Sequence, residues 1–465
     1  MPAQSLPPGP ALPAWVQTLR IIADPIGLLE TSAERFGDTF TLRVLGPGGP
    51  PVVFFSDPDH IQQIFTGLAD RLELGKVTHI FRPLVGDQSL IMQQGDRHRR
   101  QRQLLMPALH GERLNDYART IEAIAATEVA TWQPGQRLPL RSRMAELTLQ
   151  MILRVVFGLE PGPRYDALRP RLATLLELVT DPLASVQFFL PLLQQDLGPW
   201  SPWGRFRRLM AEIDALIYEE IAERRQLGGD CADVLGLLIA ARDDQGQPLV
   251  DEELRDQLIT LLLLGHETTA SSLTWAVYWL LRTPEALARL EAELATCAEP
   301  TEQVKLPYLD ACCREALRAR PVALISQPRR VRQPLELGGW QFQPGTVLVP
   351  CVLTAHGRRT TWGDDARQFR PERFLEQRFG PTEYLPFGGG ARSCIGAALS
   401  LYEMKLVLAT VLRHWQLTDT DARPLAIARR GITFVPPDSF QPTVATRRSA
   451  APAQAGTSLS SSSSS

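Results

Sequence analysis

Cys394 closes the run FGGGARSCIG, Phe387 to Gly396, in which three glycines and an arginine precede one thiol and a helical pattern follows. Glycine lets backbone approach a bulky flat group and take torsions that other residues avoid. A cysteine at a helix N-terminus faces unpaired N–H groups and the positive dipole end, which favour the thiolate. Arg392, two residues upstream, offers a rigid fork of donors to a carboxylate. These residue types in this order suit a thiolate bound to a metal inside a flat, carboxylate-bearing cofactor. A glycine-rich turn beside a buried structural cysteine would leave the same trace, and this segment alone leaves both readings open.

A second constellation lies in LLGHETTA, residues 263–270. Gly265 and the tandem Thr268–Thr269 can loosen a helical hydrogen-bond ladder, because a hydroxyl bonds back to a carbonyl. Glu267 beside Thr268 makes a short proton relay. A kinked helix with a satisfied buried acid is the plain alternative, and His266 reads as an ordinary polar residue. In EALR, Glu315 and Arg318 stand three apart on one helix face, where an ion pair can form. Their surroundings, LDACCREALRA, are apolar enough to suggest burial, and FRPERF places Arg373 in a loop as a third member. In GDRHRRQR, residues 95–102, helical spacing puts His98 and Arg102 on one face and Arg97 and Arg100 on another. One face could hold cofactor carboxylates and leave the other to solvent or a partner; a solvated basic helix is the bland reading.

The elements that must position these groups follow from pattern and punctuation. Asp251–Arg282 reads as one helix, roughly 45–50 Å long at about 1.5 Å per residue, enough to cross a domain. Residues 38–56 suggest two short strands around a Gly/Pro turn, and residues 320–355 return to strand-like segments such as LELGGWQF and TVLVPCVL. Helical patterns dominate from 58 to 330, including 114–132 and 204–225, and another helix runs from Cys394 to about His414. The expected fold class is mainly α with small β-sheets, in a single domain over 16–445. A Pro-rich lead-in occupies 1–15 and a low-complexity, disordered Ser-rich tail 446–465.

The chain has 465 residues, 44% hydrophobic and 22% charged, with a formal net charge of -2. That balance suits a large core and argues against a global nucleic-acid or membrane-surface electrostatic role. Six cysteines (231, 297, 312, 313, 351 and 394) show no framework spacing, which fits reduced intracellular thiols. The N-terminus lacks the charged and apolar regions of a signal peptide. The longest apolar run, 258–281, is broken at its middle by His266, Glu267, Thr268 and Thr269, so it reads as a core helix and no membrane anchor is expected.

Taken in order, H-x-x-x-R, G-x-E-T, E-x-x-R, P-E-R-F and F-x-x-G-x-R-x-C-x-G resemble the cytochrome P-450 family from about residue 6 to 440. The resemblance implies the cytochrome P-450 fold, in which the long central helix and the helix after the cysteine sandwich haem b. It implies Cys394 as the thiolate ligand of the iron. His98, Arg102, Arg392 and Arg329 would hold the haem propionates, and Phe387, Gly390, Gly396 and Gly265 would lie against the haem. Glu315, Arg318 and Arg373 would form the family's buried structural triad. Thr268 and Glu267 would match its oxygen-activating alcohol–acid pair. Leu264 departs from the pattern, because the family usually has Ala or Gly there, and a leucine would crowd the distal pocket.

By the same resemblance the chain is a soluble, cytoplasmic, bacterial monooxygenase and a monomer, placing one atom of dioxygen into a C–H bond. It has no flavin or iron–sulfur motif of its own. Electrons from NAD(P)H would therefore arrive through a ferredoxin or flavodoxin with its reductase, docking where Arg97 and Arg100 are free. Family members that use or rearrange peroxides lose or replace the acid–alcohol pair, and a non-catalytic haem sensor would not need it. The expected pocket segments, SVQFFLPLL (185–193), PVALIS (321–326) and GITFVPP (431–437), contain no arginine or lysine. They favour a lipophilic substrate held by shape. Resemblance to cyanobacterial-type members suggests a fatty acid or a terpenoid.

Overall fold

Asp251–Arg282 forms one continuous helix of 32 residues, the axis of the molecule. Asp251, Glu252 and Glu253 fill its first turn, and Arg282 its last, matching the helix dipole. Glu253 also reaches back to accept from the Val250 N–H at 3.0 Å. Pro284 opens the next helix and stops continuation. Nearly every residue from Ala270 to Tyr278 is buried, as a helix surrounded by other helices requires. It packs on the Leu140–Met151 helix, on Ala397–His414 behind the cysteine, and on Pro307–Ala319. Ala397–His414 rests in turn on Arg113–Ala130. In this computed structural model the described residues are 6–74, 80–181, 184–228, 232–419, 421, 425, 427–430 and 433–448. Cys231 and tail residues 449–465 lie outside them.

Strands are few and short. β1 (Thr39–Leu42) and β2 (Val52–Phe55) form the expected hairpin, turning through Gly46 and Gly48 at positive φ. They join β3 (Leu72–Leu74), β4 (Arg329–Val331) and β7 (Val347–Pro350) in a sheet of order β1-β2-β7-β4-β3, in which only β2 and β7 run parallel. β5 (Leu335–Leu337) and β6 (Trp340–Phe342) make a separate hairpin. β8 (Trp415–Thr418) pairs with β11 (Thr443–Arg447), and β9 (Ala428–Arg430) with β10 (Thr433–Val435). The strand expected across 346–353 ends early, because the chain turns helical at Val352. The lead-in runs along β1, where the Thr41 N–H donates to Pro8 O at 2.9 Å. Among the described residues, no helix is long and apolar enough to cross a membrane.

Beside the sheet, Glu315, Arg318 and Arg373 come together as expected. Arg373 Nε donates to Glu315 at 3.1 Å. Arg373 begins a short helix, Arg373–Glu376, where the sequence suggested a loop.

Candidate functional site

The segment before Cys394 is shaped by contacts that only glycine permits. Gly388 and Gly390 sit at φ of 66° and 65°, and a Cβ on Gly389 would fall 2.3 Å from the Phe65 ring. The Cys394 N–H donates to Phe387 O at 2.8 Å and closes the loop, after which Ala397–His414 begins. Phe387 packs against the main core. Cys394 keeps an accessible face, whereas Cys312, Cys313 and Cys351 are buried. Protein surrounds the thiol at longer range and pushes its pKa up, while the Gly396 N–H and the Arg102 charge pull it back. At Gly396 a side chain would meet nothing within 4 Å, and at Gly265 only Ile152, at 3.8 Å.

Three guanidiniums converge beside this loop. Arg102, from the Gly95–Leu105 helix, donates to Ser393 O at 2.8 Å and to Ser393 Oγ at 2.9 Å. Arg392 donates to Gln93 O at 2.6 Å, and Arg329 of β4 to Gln327 O at 2.8 Å. Among the described residues none of the three has a carboxylate partner. The consequence is visible in their acidity. Burial, then Arg329 and Arg102, brings Arg392 down to about 10. Burial, then Arg392 and Arg102, brings His98 down to about 4, so the imidazole is neutral near pH 7. Clustered cations satisfied only by neutral carbonyl and hydroxyl oxygens among the described residues call for an anion, and charge-assisted bonds to two carboxylates would supply it. The propionates of haem fit this donor set, with the glycine loop allowing a flat group close approach.

Thr268 and Glu267 sit on the central helix as the motif requires, in unlike surroundings. Thr268 Oγ1 donates to Leu264 O at 2.6 Å and lines a mostly apolar cavity with Phe81, Val85, Phe188 and Leu263. Leu264 is 38% exposed and lines the same cavity. Glu267 is buried and pairs with Arg141 at 3.3 Å and Arg430 at 3.7 Å. Burial raises its carboxyl pKa, and the two arginines oppose the rise. Glu267, Thr180 and Arg430 also border a second, polar cavity of about 150 Å³ that Arg141, Glu146 and His266 help to line. His266 contacts Ala145 O at 2.9 Å, in keeping with an ordinary polar role. Neither Arg141 nor Arg430 was legible, because each stands outside any motif and meets Glu267 only through the tertiary fold.

Two expectations need correction. Arg100 is not free: it donates to Asp243 at 2.6 Å and Glu253 at 2.9 Å, because the turn before the central helix folds over it. Arg97 remains exposed. The pocket segments are also more selective than their composition suggested. Among the described side chains of 185–193, Ser185 and Phe188 line the apolar cavity, and Leu190, Leu192 and Leu193 face outward. Of 431–437 Thr433 does so, with 431 and 432 outside the described residues, and 321–326 contributes nothing to its lining. Arg430 does reach the wall, so a cation is present, with its charge met by Glu267 and Glu177.

An accessible thiol on a glycine loop, a cationic cradle beside it and an alcohol–acid pair in a long buried helix define a haem-thiolate protein. The cytochrome P-450 family model matches residues 6–444. Cytochrome P-450 135B1 of Mycobacterium tuberculosis is 36% identical over 423 residues, covering 90% of this chain and 87% of its own. Cytochrome P-450 138 of the same organism is 35% identical over 440 residues, covering 94% and 96%. Neither name states a substrate. The retinoic acid-bound structure of cyanobacterial CYP120A1 superposes with a TM-score of 0.80 at 25% identity, over 96% of this chain and 99% of that one. The chain belongs to the cytochrome P-450 family. It is accordingly a monooxygenase that binds haem b and uses dioxygen, with electrons from NAD(P)H delivered through partner proteins.

Proposed function

We propose that Cys394 supplies the thiolate ligand, that Arg102, Arg329, Arg392 and neutral His98 hold the propionates, and that Thr268 and Glu267 handle protons for hydroxylation of a lipophilic substrate. The haem, when bound, would supply reduction of dioxygen and insertion of one oxygen atom into a C–H bond, chemistry that the Cys394 thiolate would favour. The rest falls to the side chains. Thr268 holds a hydroxyl proton at the cavity wall, parked on Leu264 O. Glu267 borders both cavities, and this single observation carries the reading. A carboxyl there can take a proton from the polar side and release it toward Thr268, with the longer Arg430 contact yielding as it turns. The raised pKa keeps more of it protonated near neutrality than an exposed glutamate would be.

Among the described residues the charges on the apolar cavity wall are Glu267 and Arg430, which pair at 3.7 Å and so add no net charge between them. A fatty acid or a terpenoid held by shape fits that lining, and Leu264 narrows it toward slender chains. The retinoic acid in the cyanobacterial neighbour is of the same lipophilic character. A ferredoxin or flavodoxin, with its reductase, is the electron donor we favour, meeting Arg97. Reduced buried cysteines support a cytoplasmic setting. The test begins with spectral titration against fatty acids and terpenoids, followed by turnover of the best ligand. In Thr268→Ala, binding should persist while electrons go to peroxide; unchanged coupling would remove Thr268 from the mechanism.

A further inference from the structure

The apolar cavity is not uniform. Thr180, Glu267 and Arg430 belong to its wall and to the wall of the polar cavity, so they form the partition between the two. Three elements meet there: the end of the helix Pro163–Thr180, the central helix and the β9–β10 hairpin. Arg430 NH2 donates to Thr180 Oγ1 at 2.9 Å and to Glu177 at 3.2 Å. Thr433 stands opposite Arg430 in the hairpin register and donates its hydroxyl to Arg430 O at 2.8 Å. The rest of the wall is largely hydrocarbon.

What the partition offers a ligand follows from its protons. The hydroxyls of Thr180, Thr268 and Thr433 are each spent on a backbone carbonyl: Leu176 O at 2.8 Å, Leu264 O at 2.6 Å and Arg430 O. Arg430 is different. Its NH2 is engaged, but Nε and NH1 have no hydrogen-bond partner among the described residues, and Glu267 lies 3.7 Å from Nε. An N–H withdrawn from water without an acceptor is costly. A strut tying the hairpin to the helix needs the NH2 contacts and nothing more, so the idle donors are left for something else. Charge then selects the acceptor. Glu177 and Glu267 already flank the guanidinium, and a carboxylate brought to it would face them both. An oxygen with lone pairs and no charge meets the donors without that repulsion. We propose that Arg430 sets substrate specificity by donating to a neutral carbonyl or hydroxyl oxygen of the lipophilic substrate, whose hydrocarbon body lies against Phe81, Val85, Phe188 and Leu263. The inference rests on the lipophilic reading of this cavity and narrows it: an oxygenated terpenoid, fatty alcohol or ketone is preferred to a free fatty acid.

Spectral titration of the haem-loaded protein tests this with two matched sets of ligands: farnesol, farnesene and farnesoate, and dodecan-2-one, dodecane and dodecanoate. In each set the neutral oxygenated ligand should bind roughly tenfold or more tighter than its hydrocarbon and its carboxylate. Arg430→Met keeps the reach of the side chain and removes the donors. It should weaken farnesol and dodecan-2-one by roughly tenfold and leave farnesene and dodecane unchanged. Equal affinities within each set for the wild type overturn the proposal, however the variant behaves, and so does tightest binding of the carboxylates. Loss of farnesene together with farnesol in Arg430→Met also overturns it, by making the residue a strut. If none of the six ligands binds the wild type, the lipophilic reading itself falls, and this inference with it.

Discussion

Arg318 grips Glu315 with both arms, Nε to Oε2 at 2.7 Å and NH2 to Oε1 at 2.8 Å, where Glu315 is 0% and Arg318 2% exposed. Its remaining donors go to His356 O, Ala366 O and Gln368 O, so the pair ties its helix to the end of the helix Val352–His356 and to the loop that holds Ala366 and Gln368.

Removing either partner strands a buried charge, at about 3–5 kcal/mol against a total stability of about 5–15. Glu315→Ala and Arg318→Ala should therefore yield little folded, haem-loaded protein. The check is holoprotein yield and melting temperature; a variant with normal values would show that the pair is dispensable.

Glu403, on the helix behind the cysteine, is buried, and no hydrogen bond or ion pair to its carboxyl is found among the described residues. Burial pushes its pKa up from 4.5 to about 8. A carboxyl raised in the folded state costs nothing below its unfolded pKa and destabilises increasingly as pH climbs to the folded one. Glu403→Gln should thus match wild type near pH 4.5 and exceed it by up to about 4–5 kcal/mol at pH 8 and above. Melting curves across that window decide, and a difference independent of pH would contradict the assignment.

Sequence reached the site where chemistry depends on local order. The glycine loop, the adjacency of Thr268 and Glu267 on one helix and the Glu315–Arg318 spacing are set by neighbours within a few residues, and the Glu315–Arg318 ion pair formed as expected. Periodicity also located the central helix to the residue. What it missed is tertiary. Helical spacing correctly put Arg100 away from His98, but could not show that Asp243 and Glu253 would fold onto it. Arg141 and Arg430 approach Glu267 from elements 126 and 163 residues away in the chain, without a motif between them. Composition gave segment 185–193 an apolar character and left open which side faces inward; in the fold much of it faces out.

The Arg100 correction separates two variants that sequence would have treated alike. Arg97→Glu should slow reduction by an acidic ferredoxin and flatten its salt dependence, leaving melting temperature unchanged. Arg100→Glu should lower the melting temperature, because Asp243 and Glu253 would then face a third carboxylate. Stopped-flow reduction with thermal melts distinguishes them, and equal melting temperatures would mean that the Arg100 pairs contribute nothing.

The carbon monoxide spectrum of the reduced protein reads directly whether Cys394 carries the iron. The wild type should show the long-wavelength Soret band of a thiolate haem, and Cys394→His should lose it with haem still bound. An unchanged band in that variant would contradict Cys394 as the ligand.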